Sequence, residues 1–186
     1  MFQELLEKIA AALAERGLPY MVIGGQAVLL YGEPRLTRDI DVTLGVDADR
    51  LAEALEAASA AGLTPLVADP GRFVRETHVL PLIHGTSGIR VDLVFSWTQY
   101  EQEAIRRANR VRIGRTEVSF ASLEDLLIHK IVAGRPRDLE DARQILLKNP
   151  DFDRQYVERW LGEFDKALST DHVDSLARLL ATIGHR

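Results

Sequence analysis

Two carboxylates, Asp39 and Asp41, stand i, i+2 in the run Asp39-Ile40-Asp41-Val42. They follow a glycine pair, Gly24-Gly25, after a gap of thirteen residues. On a β-strand, that spacing points both side chains to one face. Two ionised acids 4 Å apart repel by about 4 kcal/mol at an effective dielectric of about 20. A strand flanked by apolar residues has reason to accept that cost if a cation offsets it. Mg²⁺ takes carboxylate and phosphate oxygens, so it supplies the compensation. Glycines let backbone N–H groups approach a phosphate closely. The segment Tyr20 to Leu44 thus offers a phosphate cradle beside half of a hard-cation site. Taken alone, Asp-x-Asp also describes two solvated acids on an edge strand.

Asp92 sharpens the pattern. It lies in Ile89-Arg90-Val91-Asp92-Leu93-Val94-Phe95, an apolar strand sequence. A carboxylate in such a strand needs a partner. Arg90, on the same face at i−2, offers an ion pair. The other reading is a third carboxylate on a neighbouring strand, converging on Asp39 and Asp41. Three carboxylates can hold two metal ions roughly 3.5–4 Å apart, which stabilise the attacking and leaving oxygens of a phosphoryl displacement.

This series resembles the polymerase-β-like nucleotidyltransferase superfamily, whose pattern is a hydrophobic residue, Gly, Gly or Ser, a gap of about nine to thirteen, Asp-x-Asp, and a later carboxylate. Here the second position is Gly25 in place of the more frequent Ser, which leaves the backbone to hold phosphate. The stretch from Asp125 to Asp141, with Lys130, Arg135, Asp138 and Asp141, resembles the Lys…Arg-x-x-Asp-x-x-Asp element of the AbiEii-like branch, which includes toxins of bacterial toxin–antitoxin systems. The resemblance implies that Gly24 and Gly25 cradle a nucleoside triphosphate. It implies that Asp39, Asp41 and Asp92 ligate Mg²⁺, two ions, with Mn²⁺ an alternative. Asp92 would also orient the acceptor hydroxyl. Lys130 would neutralise triphosphate charge from the helical half, and Asp141 would complete the catalytic set. Asp138 would sit at the nucleotide or act as a first-turn acid. Arg35, Thr37 and Arg38 would contact phosphate or brace their own loop. The implied acceptor is RNA such as tRNA, or protein, and a cognate antitoxin is the implied partner. Two other readings stay open: a binding module without turnover, and an enzyme acting on an aminoglycoside-type small molecule.

The elements that must position these residues follow from periodicity and caps. Leu5, Leu6, Ile9 and Leu13 mark a helix over 3–16. Tyr20–Ile23 is a short strand, 26–31 a short helix and Ile40–Leu44 a second strand. Asp47 caps a helix over 48–61. Strands are expected at Leu63–Val67, Thr77–His84 and Ile89–Phe95, with a polar turn between the last two. Thr98 and Glu101 form a capping box, as do Ser122 and Asp125. A small hairpin spans 111–120, and the remainder is helical, interrupted at Pro136. The fold class is α/β, a small mixed sheet flanked by helices, with a C-terminal helical subdomain. The expected division is 1–120 for the core and 121–186 for the helices.

Composition excludes several alternatives. The chain of 186 residues has no cysteine, so disulfides, zinc–thiolate sites and cysteine nucleophiles are ruled out. No GKS or GKT follows the glycines, and no GxGxxG occurs. The histidines lack ligand spacing and the serines lack a nucleophile elbow. The amino terminus is an amphipathic helix with acids rather than a signal peptide, and no apolar run approaches a membrane span. A cytoplasmic, non-membrane protein is expected. Net charge is −5, against general nucleic-acid affinity. Between Ala104 and Thr116, however, stand five arginines, Arg106, Arg107, Arg110, Arg112 and Arg115, and no acid until Glu117. They form either a solvated helix end and hairpin or a contact surface for a polyanion.

Overall fold

Strands β1 (Tyr20–Ile23) and β2 (Asp39–Leu44) pair antiparallel, and β2 pairs parallel with a strand from far along the chain, Arg90–Phe95. That long-range pairing organises the sheet. The structure is a computed structural model, and it describes residues 1–34, 36–96 and 98–184. Two units emerge from the contacts. One comprises Met1–Gln26 with Leu36–Ala121, the other Ala27–Arg35 with Ser122–Arg186.

In the first unit, strands β3 (Leu63–Pro65), β4 (Val79–His84), β5 (Arg90–Phe95), β6 (Asn109–Ile113) and β7 (Thr116–Phe120) join β1 and β2. Among the described residues they form one mixed sheet of seven strands, ordered β3-β4-β5-β2-β1-β7-β6. The β2–β5 and β1–β7 pairs are parallel and the others antiparallel. Helix α1 (Phe2–Glu15) buries Leu5, Leu6, Ile9 and Leu13, the stripe its period prescribes. It packs with α3 (Leu51–Ala60) over one sheet face, where Ile9, Leu13, Ala57 and Leu93 line a small gap. Leu93 pairs with Val42 and Leu80, so these three share the covered face. Asp41 and Asp92, one residue off in register, are on the other.

Caps set the helix boundaries much as their residues dictate. Asp47 accepts from the Ala48 N–H at 2.6 Å at the start of a short 3₁₀ turn, Ala48–Arg50, that leads into α3. The Thr98 hydroxyl accepts from the Glu101 N–H at the head of α5 (Gln99–Arg107). Helix α4 (Pro70–Thr77) has no counterpart among the expected elements. Its signals are an Asp69 cap to the Arg72 N–H at 2.9 Å and Pro70 in the first turn. It buries only Val74, so no apolar stripe announces it.

In the second unit, α6 (Leu123–Ala133) opens on Ser122, whose hydroxyl accepts from the Asp125 N–H at 3.1 Å and donates to the Asp125 carboxylate at 2.6 Å. The Tyr156 hydroxyl of α8 (Arg154–Leu168) donates to the other Asp125 oxygen at 2.9 Å. Asp125 is fully buried, and these bonds satisfy it. Helix α6 stops at Gly134 in the left-handed region, and Pro136 starts α7 (Pro136–Lys148). Helix α9 (His172–Gly184) completes the set. Residues 27–34 join this unit through α7. The Lys148 ammonium donates to the Gly32 carbonyl at 3.0 Å, and the Asn149 amide, just past α7, donates to the Tyr31 carbonyl at 2.9 Å. Helix α2 (Gly24–Tyr31) therefore starts in one unit and ends in the other. Among the described residues no helix is long and apolar enough to cross a membrane.

Candidate active site

The register of β2 against β5 places Asp41 opposite Asp92 and Asp39 opposite Arg90. Paired residues project to the same face, with neighbouring backbones about 4.8 Å apart. Ile40, Val42, Val91 and Leu93 point the other way into the core and are fully buried. Asp39 is exposed, while Asp41 and Asp92 are partly buried.

On the opposite flank of β2, Asp41 pairs with Ile23, the last residue of β1. Gly24 comes next, at φ +63°, a region that L side chains rarely adopt. A Cβ on Gly24 would collide with the Asp41 carboxylate. Both the backbone angle and the closeness of the carboxylate therefore require glycine here. Buried Gly25 follows, and α2 runs on from it. The first, N–H-rich turn of a helix thus begins beside Asp41.

Burial raises the Asp92 pKa; Arg90 pulls it down, and the Asp39 charge pushes it further up. Among the described residues no hydrogen bond or ion pair reaches the Asp92 carboxylate, so Arg90 acts on it only as a nearby charge. The Thr37 hydroxyl, expected at phosphate, is buried and accepts from the Gln26 amide at 2.7 Å. This bond pins the segment before Asp39 onto the first turn of α2. Sequence reading passed over Gln26. Its signal is one amide in the otherwise apolar run that follows the glycines. Arg38 is exposed beside Asp39. Arg35 lies outside the described residues.

Lys130, Asp138 and Asp141 come together within the second unit. The Lys130 ammonium lies 2.7 Å from Asp138 and 2.8 Å from Asp141, and all three side chains are at most 7% exposed. Arg135 also pairs with Asp138. Burial works to raise the Asp138 pKa, but hydrogen bonds from Arg135 and Lys130 outweigh it and leave the value lowered. Asp138 is the third residue of α7, whose cap is Arg135, so it is the first-turn acid. Lys130 is buried. In this arrangement its amine is spent on α7.

Among the described residues no group of three or more His, Cys, Asp or Glu side chains is gathered closely enough to hold a metal ion alone. The expected three-carboxylate cage is thus not preformed. The donor set nevertheless suits Mg²⁺, which uses one or two carboxylates and completes its shell with phosphate and water. Asp41 and Asp92 are side by side, Asp39 is on the same face, and all are hard oxygen donors.

The sequence profile of a family described as nucleotidyltransferase of unknown function (DUF6036) matches residues 2–176. The chain belongs to this family. It is a nucleotidyltransferase, and its mixed α/β architecture is consistent with that fold. No curated protein matches it in sequence. Among solved structures, ANT(2″)-Ia in complex with adenylyl-2″-tobramycin matches with a TM-score of 0.59 at 22% identity, over 90% of this chain and 99% of that one. ANT(2″)-Ia in solution, titled an antibiotic-resistance factor, matches with 0.58 at 21%, over 100% and 98%. An antigenic nucleotidyltransferase-like protein from Paracoccidioides brasiliensis matches with 0.54 at 22%, over 89% and 88%. At these identities the likeness is one of fold.

Two measurements probe the two charge clusters. The first concerns Asp92. Its folded pKa is raised, so the ionised form is disfavoured in the fold. Stability of the metal-free protein is lost as pH rises from the ordinary carboxylate range through the raised value. Asp92→Asn removes that loss. Its Tm in EDTA is expected to exceed wild type at neutral pH and to converge with it at acid pH. The second concerns Lys130→Met, which leaves two buried carboxylates without their shared cation. It is expected to cost about 3–5 kcal/mol in urea unfolding. Because the Asp138 pKa is lowered, the clasp's stability is present above the ordinary carboxylate value of about 3.9 and lost as pH falls through the lowered one. Unchanged unfolding with a raised nucleotide KM would instead mark Lys130 as a triphosphate ligand.

Proposed function

We propose that this chain transfers a nucleoside monophosphate from a nucleoside triphosphate to an acceptor hydroxyl, with Mg²⁺. One observation carries this reading. Gly24 turns against the Asp41 carboxylate, which is in register with Asp92 and shares its strand face with Asp39. A triphosphate at the Gly24-Gly25 turn meets backbone N–H groups at the start of α2. Mg²⁺, when bound to Asp39, Asp41 and Asp92, supplies charge neutralisation at the α-phosphate. The acceptor oxygen forms a bond to the α-phosphorus, the bond from that phosphorus to the bridging oxygen breaks, and pyrophosphate leaves. The hydroxyl proton passes to Asp92, the carboxylate that orients the acceptor hydroxyl. Arg38 and Arg90, exposed at the start of β2 and β5 beside Asp39, offer positive charge to the leaving pyrophosphate. Thr37, held by Gln26, positions the segment that carries Asp39.

RNA and protein hydroxyls are the acceptors in this reading. Its biological form is a toxin with a cognate antitoxin, which the AbiEii-like spacing of Lys130, Asp138 and Asp141 supports. A second reading draws on the structural likeness to ANT(2″)-Ia, which was captured with an adenylylated aminoglycoside. The net charge of −5 would attract such a cationic acceptor.

Incubation with α-labelled triphosphates, Mg²⁺ and separate pools of RNA, protein and tobramycin tests both readings. Label is expected on a macromolecular pool, and Asp39→Asn with Asp41→Asn is expected to reduce it roughly a thousandfold. Label that survives in the double variant overturns the carboxylate assignment. Label on tobramycin alone favours the second reading.

A further inference from the structure

Many arginines in this protein pair with acids, among them Arg16, Arg50 and Arg72 in the sheet unit. In the helical unit Arg135, Arg143, Arg154 and Arg178 each pair with an acid. At the β6 edge of the sheet, Arg106, Arg110, Arg112 and Arg115 are exposed, and none has an ion pair among the described residues. They occupy the end of α5, the edge strand β6 and the β6–β7 turn. Arg106 complements the α5 dipole, and charge on an edge strand discourages aggregation. Those roles explain charge. They do not explain why a chain of net charge −5 gathers four exposed arginines here.

The β6–β7 turn is tied to α1. Glu7 of α1 accepts from the Arg115 N–H at 3.2 Å, and Gly114, at φ +57°, has no room for a Cβ against the Glu7 carboxylate. Within β6, Arg110 and Arg112 are register partners of Ser119 and Glu117, so both project to one face. Through Phe120, Val22 and Val42, the pairing shows that this is the face that bears Asp41 and Asp92. Strand β6 is three strands from β2, about 14 Å. The two guanidinium-bearing positions are about 6.8 Å apart along the strand, close to the step between successive phosphates of an extended nucleic-acid strand. Glu7 and Glu117 are the nearby acids, and Glu7 is turned to the hairpin backbone.

We propose that this arginine edge binds the phosphate backbone of a single-stranded RNA and that this RNA is the acceptor. The inference rests on the nucleotidyl-transfer reading for the second half of that statement. RNA carries on one molecule both the phosphates that guanidinium groups grip and the hydroxyls that the reaction needs. An acidic protein would match the charge without the regular repeat.

The test is fluorescence anisotropy with a short labelled single-stranded RNA of mixed sequence, titrated at several salt concentrations. Neither nucleotide nor metal is present, so the result is independent of whether the carboxylates transfer anything. Three or four phosphate contacts, at roughly 0.7 each, give a slope of log K against log salt of about −2 to −3. Arg110→Glu with Arg112→Glu is expected to bind at least about tenfold more weakly, with a slope shallower by about 1.4. Arg143→Glu with Arg154→Glu, the same charge change in the helical unit, is expected to bind as wild type. Circular dichroism checks that both variants keep their fold. The surface assignment is overturned if wild type does not bind at low salt, if the β6 variant binds as wild type, or if the control variant loses as much. Displacement of RNA by polyglutamate at equal charge would reassign the edge to an acidic protein. RNA binding without label transfer would keep the surface and remove the reaction.

Discussion

Two carboxylates held side by side by strand register are the constraint around which the first unit is arranged. Asp41 and Asp92 occupy matched positions on parallel neighbours, and Asp39 adds a third charge two residues away. Nothing in their own chemistry favours that approach. The pairing is imposed from the opposite face, where Val42, Leu93 and Leu80 are buried beneath α1 and α3. A slip of one residue in β5 would put Asp92 into that core and Leu93 among the acids. The hydrophobic face thus fixes the register, and the register fixes the electrostatics. Gly24 follows from the same constraint, because the Asp41 carboxylate fills the space where a side chain would be. The Gln26–Thr37 bond ties the segment just before Asp39 to the first turn of α2.

The helical unit solves a different problem with similar groups. Lys130 is one cation against two carboxylates, with Arg135 supplying the second positive charge at the exposed rim. Burying such a cluster is favourable only when geometry and hydrogen bonds compensate desolvation. For Asp138 the hydrogen bonds from Arg135 and Lys130 outweigh burial and hold its pKa down. The sharp α6–α7 turn, with Gly134 in the left-handed region and Pro136 next, is what brings residues eight positions apart into contact. Acids at the site face share one strand face across β2 and β5, whereas those in the clasp share a buried lysine.

Much of this was legible in the residues. Period-two spacing put Asp39 and Asp41 on one face, and the β1 boundaries follow from the apolar run ending at the glycines. Capping boxes at Thr98 and Ser122 marked helix starts that the structure reproduces. What the sequence lacks is pairing between distant segments. Asp92 was recognisable as an acid in an apolar strand. Its partner could not be read, because β4 and β5 could have joined the sheet elsewhere. Arg90 fitted an ion pair by its i−2 position, yet in the structure it acts only at a distance. Lys130, Asp138 and Asp141 were identifiable as a spacing, whereas their mutual burial depends on how α6 packs on α7. Helix α4 escaped because it is polar and buries only Val74, so only its cap and proline spoke for it.

The sheet also distributes charge in a way that bears on how substrates approach. Pleating alone sends Asp39, Asp41 and Asp92 to one face, and three strands away it sends Arg110 and Arg112 to the same face. The acids at the centre repel any phosphate, so a triphosphate can occupy the Gly24 turn stably only if a cation comes with it. The arginines at the edge attract phosphate without help. A polyphosphate chain is therefore drawn to the rim first, and it gains the centre only where metal has reversed the local sign. In the proposed reaction this order would give the cation two roles, holding the donor and admitting the acceptor. It would also reconcile an acidic chain with the RNA proposed as its acceptor, because attraction and chemistry would sit on different strands of one sheet.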